Sequence, residues 1–169
     1  RHTISVSAFL LNRSSDLYPT RWANTQFSLG LIYHDRVLGD LVENWEQALM
    51  HLKNASSGYV SANSPQLLQV QIVTAAHYHT NPKGNILVNL NRTILELEKN
   101  QAGLHLYPNL PAISAISSWL YLSEFYYMRA KLFATARFQE TSLQESIQSD
   151  INKAIAAMDN VDLDEVQKT

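Results

Sequence analysis

The sequence contains no cysteine. That excludes disulfides, thiolate metal sites and a cysteine nucleophile. Glycine and proline are scarce, at five each in 169 residues. No apolar run approaches the length of a membrane span. Charge of one sign is also lacking: the formal net charge is −2, and Lys and Arg are spread along the chain. Such a surface carries no footprint for nucleic acid or for an anionic membrane, so neither is expected as a partner. No Gly-x-Ser-x-Gly elbow and no glycine-rich phosphate loop occurs; NPKGN, residues 81–85, reads as a turn. The opening RHTISVSAFLLNR has no small-residue cleavage site and makes a poor signal peptide. Together with the missing cysteine this fits a reducing compartment, and a cytoplasmic location is the expectation. The sequons at Asn12, Asn54 and Asn91 are then read as chance. The chain begins with Arg1 and not Met, as a piece excised from a longer protein would.

What is present is helical periodicity. Apolar residues make up 46% of the chain, a folding composition. Pro19, Pro65, Pro108 and Pro111 precede long runs of helical spacing, and Gly58, Gly84 and Gly103 fall between runs. Residues 20–36 place Trp22, Gln26, Leu29, Tyr33 and Val37 on one face with a single polar member. Residues 41–54 do the same with Leu41, Trp45, Ala48, Leu49 and Leu52, and Asp40 is the expected N-cap, with Glu43 completing a capping box. Further helices are expected over 65–80, 86–99, 111–136 and 142–158. Thr3 to Leu11 is the one stretch that suits a strand, and it suits equally a leftover helix of a preceding unit; residues 159–169 read as a polar, frayed tail. The fold class is therefore all-α, with helices in antiparallel pairs.

The pairs repeat. A shift of 46 lays PTRWANTQFSLGLIYHDR, from Pro19, over PQLLQVQIVTAAHYHTNP, from Pro65. Dropping one loop residue then lays WEQALMHLKN over LNRTILELEK. A shift of 93 lays SLGLIYHDR over YLSEFYYMR, so that Gly30 meets Ser123 and Tyr33 meets Tyr126. In each unit a small residue (30, 76 or 123) admits a second helix closely and a large neighbour fills the gap. Units of this kind leave apolar faces that neighbours must cover.

Leu29-Gly30-x-x-Tyr33 followed by Ala48-x-x-x-Leu52 resembles the tetratricopeptide repeat family. Gln26 stands at the family's usual Trp site, and the period exceeds the usual length because of HDRVLGDLVEN. The longer pattern looks like repeats of large bacterial proteins, notably of cyanobacteria, where such arrays adjoin signalling or caspase-like protease domains. The resemblance implies a single helical repeat domain over residues 1–169, a short superhelix of about three degenerate units at 19–54, 65–100 and 108–158. It also implies a non-enzymatic module that binds a protein or peptide in a concave groove. The family's groove positions fall on Asn24, Phe27, Leu31, His34 and Asp35; on Val70, Val73, His77 and Asn81; and on Ser117, Leu120, Glu124 and Tyr127. Phe27 and Leu31 replace the Lys and Asn with which the best-known family groove clamps a C-terminal carboxylate, so that specificity is not expected here.

Other chemistry is weaker. His77 and His79 sit two apart and point about 200° apart on a helix, too far to share an ion. His34 and His77 occupy related positions of different units and can meet, but no metal and no cofactor is expected. Trp119, Tyr121, Phe125, Tyr126, Tyr127 and Phe133 crowd one helix, which reads as core packing, with a flat-ligand pocket beside Trp119 and Tyr126 as the sharper alternative. A regulatory segment of a larger signalling or protease-linked protein, and a homo-oligomer formed through exposed repeat ends such as Val6 to Leu11, also stay open.

Overall fold

A computed structural model describes residues 18–107, 112–135 and 141–160. The strand-like Thr3–Leu11 patch, the proposed oligomer patch Val6–Leu11 and the tail beyond residue 160 lie outside them. The described residues form helices α1 (Pro19–Asp35), α2 (Leu41–Ser61), α3 (Gln66–His79), α4 (Ile86–Leu104), α5 (Ala112–Thr135) and α6 (Thr141–Asp159). No strand occurs among them. No helix there is long and apolar enough to cross a membrane. The chain divides into two compact units between His77 and Tyr78, inside the last turn of α3 and within the second predicted repeat.

Local signals set most helix ends. Pro19 stands at the start of α1, where its missing N–H is no loss. The Asp40 carboxylate accepts from the Val42 and Glu43 amides and so caps α2. Asn85 caps α4 by accepting from the Leu87 amide. α2 runs seven residues beyond its expected end. Gly58 does not stop it; the stop is Asn63, which takes a left-handed φ of +47°. The Ser64 amide reaches back to the Tyr59 carbonyl and the Asn63 amide to Val60, the paired bonds of a Schellman ending. Gly103 likewise lies within the last turn of α4 and does not follow its end.

In the first unit α1 and α2 are antiparallel, with residue 23 against 58, 30 against 52 and 33 against 51. Two glycines allow the approach. A Cβ on Gly30 would stand 2.9 Å from Leu52 Cδ2, and one on Gly58 would stand 2.8 Å from Ala23 Cβ. Ala23, Leu52, Ala55, Tyr59 and Val70 form the core, with Phe27, Leu67 and Val73 packed on it. Val37, expected on the apolar face of α1, lies past the helix end and is 82% exposed.

In the second unit α4, α5 and α6 pack in sequence, α4 on α5 and α5 on α6. The repeat is visible in hydrogen bonds as well as letters. Asn44, four residues after its cap, donates to the Arg36 and Leu38 carbonyls. Asn89, four residues after its own cap, donates to the Asn81 carbonyl. Buried positions 44, 48, 52 and 55 of α2 recur as 89, 93, 97 and 100 of α4. The small residue of the second sequence repeat, on α3, is Ala75, which is buried; Ala76, the expected one, is exposed. Ser123 is buried as expected.

Candidate functional site

Two constellations stand out, one in each unit. In the first, the predicted meeting of His34 and His77 occurs: their Nδ1 atoms are 2.8 Å apart. Trp45 of α2 locks His77 in place. Its indole Nε1 donates to the His77 carbonyl at 2.9 Å, and His77 Nε2 bonds the Trp45 carbonyl at 2.8 Å. The two rings stack with centroids 4.8 Å apart and planes 11° from parallel. A carbonyl only accepts, so His77 Nε2 carries the proton and His77 Nδ1 is the acceptor. His34 Nδ1 is then the donor of the pair. A second proton, on His77 Nδ1, would break it. His77 is 1% exposed, and burial, with His34 as a lesser charge beside it, pulls its pKa down to about 4.

Beside this cluster the polar member of the α1 face is satisfied. The Gln26 carbonyl oxygen accepts from His51 Nδ1 at 2.8 Å and from Asn54 at 3.2 Å. Tyr33 stacks on His51, and the Arg36 guanidinium lies over Tyr33. Burial lowers the His51 pKa. Among the described residues no group of three or more His, Asp or Glu side chains is placed to hold a metal ion.

The carried-over groove positions of this unit have mixed fates. Val70 is fully buried core and His77 is sealed by Trp45, so neither lines an open groove. Both sit on the side of α3 turned to the unit's own interior, where apolar burial and the Trp45 bonds hold them. Phe27 and Val73 are half-buried against the same core. Leu31 and His34 are half-buried, and Asp35 is exposed. Asn24 is exposed, yet its side chain accepts the Tyr59 hydroxyl at 2.7 Å.

In the second unit the third set of positions shares one face. Leu120, Glu124 and Tyr127 are exposed and Ser117 half-buried, at i, i+4, i+7 and i−3 along α5. Tyr121 flanks them, also exposed. The expectation that the aromatic helix is buried on all sides therefore fails for Tyr121 and Tyr127. Asn81, of the second set, is half-buried; its carbonyl is taken by Asn89 and its side-chain oxygen by the Lys83 amide.

Behind that face α5 is tied to its neighbours. Arg129 grips Asp150 of α6 with two bonds of 2.7 Å and Asn91 of α4 with a third of 2.7 Å. The Asp150 side chain is 5% exposed. The hydrogen bond to Asp150 raises the Arg129 pKa further, so the guanidinium is always charged. Tyr126 donates its hydroxyl to Glu98 of α4, and burial, then that bond, raise the phenol pKa. Nothing in the sequence pattern singles out Arg129, Asp150 or Trp45 as partners, because each pairs across helices more than twenty residues apart in the chain.

Neither a protein-family model, nor a curated protein, nor a solved structure matches this chain.

Proposed function

We propose that the chain is a non-catalytic, tetratricopeptide-like module that binds a protein segment. One observation carries this: the α5 strip of Leu120, Tyr121 and Tyr127, which are 42%, 45% and 60% exposed around Glu124. Half-exposed tyrosines beside a leucine are the composition of protein-binding surfaces. The opposite side of the same helix carries buried Leu122, Phe125, Tyr126 and Ala130, so the strip is held on a rigid support. Its chemistry suits an extended or helical peptide with apolar anchors and one Lys or Arg to meet Glu124.

The test is selection of random displayed peptides on the full chain. Selected peptides are expected to share an apolar-basic pattern. They are expected to lose at least tenfold in affinity against the Leu120→Glu, Tyr127→Lys double variant. Failure to select any peptide, or selection of peptides indifferent to that double variant, would refute the assignment.

A further inference from the structure

An open cleft of about 480 Å³ lies among α4, α5 and α6 of the second unit, on the far side of α5 from the Leu120–Tyr127 strip. Its volume is in the range of small-molecule sites. Trp119, Leu122 and Tyr126 of α5 provide a flat apolar wall, and Ala156 of α6 leaves the opposite side open. The wall is firm: Leu122 is 3% and Tyr126 4% exposed, and the Tyr126 hydroxyl is anchored on Glu98.

The polar groups around this wall are unbalanced. The Glu98 carboxylate also lines the cleft and is engaged, accepting the hydrogen bond of the Tyr126 hydroxyl. The Lys153 ammonium hangs over the Tyr126 ring, 5.3 Å from its centroid. Among the described residues no carboxylate pairs with it. Gln101 also lines the cleft, and its buried Nε2 has no hydrogen-bond partner. A turn of that amide about its last bond presents either of its polar atoms. An aromatic surface with an unpaired ammonium and a spare amide fits a flat ring bearing a negative group. We propose that this cleft binds a flat aromatic anion, its ring against Trp119 and its charge met by Lys153, with the Gln101 amide as a second donor. This site is independent of the α5 strip.

The probe is 8-anilinonaphthalene-1-sulfonate, titrated into the full chain with its fluorescence as readout. Saturable one-to-one binding is expected. Lys153→Glu is expected to weaken it about tenfold, the loss of one charge-assisted hydrogen bond. Ala156→Trp, which fills the cleft, is expected to abolish it. Both positions are exposed, so circular dichroism and the melting midpoint should not move. The neutral analogue N-phenyl-1-naphthylamine should bind at least tenfold more weakly. Absence of saturable binding, or binding unchanged in Ala156→Trp, overturns the site. Equal binding of the neutral dye, or indifference to Lys153→Glu, overturns the anion. Loss of binding in the Leu120→Glu, Tyr127→Lys variant would place the dye on the α5 strip and also overturn the cleft.

Discussion

Gly30 and Leu52 meet so closely that a methyl group on residue 30 would come within 2.9 Å of Leu52 Cδ2 and 3.0 Å of Leu52 Cγ. Gly58 and Ala23 meet in the same way at the other end of the same helix pair. The two contacts differ in what must yield. At Gly30 the nearest obstacle is the end of a leucine side chain. At Gly58 it is Ala23 Cβ, with the Pro19 carbonyl oxygen 3.1 Å away, and both are fixed to backbone.

Substitution of these glycines should therefore rank in a definite order. Gly30→Ala gains about 1 kcal/mol of helix propensity, which offsets a small shift of Leu52, so it should be close to neutral. Gly58→Ala has the same propensity gain but must part the helices, and a net loss of about 1–3 kcal/mol is expected. Gly30→Leu should lose about as much by overpacking. Urea denaturation of the three variants checks this; a Gly58→Ala chain as stable as wild type would show that the close approach does not limit packing.

Acidification should weaken the first unit. The folded pKa of His77 lies below its unfolded value, so the unfolded chain binds the proton first. The contribution is complete above pH 6.5 and is lost as the pH falls from 6.5 towards 4. Between pH 6.5 and 5 the loss is about 1–2 kcal/mol. His51, also lowered by burial, acts in the same direction. Denaturation at pH 7 and pH 5 should show a difference that shrinks in His77→Gln. An equal pH dependence in that variant would rule out His77 as the cause.

Breaking the Arg129–Asp150 pair from one side should be costly. Arg129→Ala leaves a carboxylate that is 5% exposed without its cation, a loss of about 3–5 kcal/mol. Arg129→Leu combined with Asp150→Leu removes both charges and should recover much of it. A double-mutant cycle measured by thermal melting gives the coupling, and additive single losses would mean that the pair contributes little.

The two N-caps offer a smaller check. Asp40→Ala and Asn85→Ala each remove a side-chain oxygen that accepts helix amides, and each should cost about 1 kcal/mol. Asp40 accepts two amides, so it should cost the more. Stability changes below a few tenths in both would be evidence that water replaces the caps.

Much of this architecture was legible in the letters. Proline at helix starts, the capping residues and the 3.6-residue period place all six helices. The small residue at 30 and the pairing with Leu52 follow from the same pattern. What failed has physical reasons. Gly58 looks like punctuation, yet it is a packing residue, and only the contact with Ala23 distinguishes the two. The alignment chooses Ala76 to face inward, but its neighbour Ala75 is equally small and is the one buried. Val70 and His77 follow the groove pattern, but burial against Leu52, Tyr59 and Trp45 removes them from it. The Arg129–Asp150 grip depends on the register of α5 on α6, which no local signal reports.

The reciprocal bonds between Trp45 and His77 have one more consequence. The Trp45 indole hydrogen is tied to a carbonyl of another helix, so it can exchange with solvent only when α2 and α3 separate there. Indole protons resonate apart from backbone amides, and the chain has only three tryptophans. The exchange rate of this single proton in deuterated water is thus a direct gauge of how often the first unit opens.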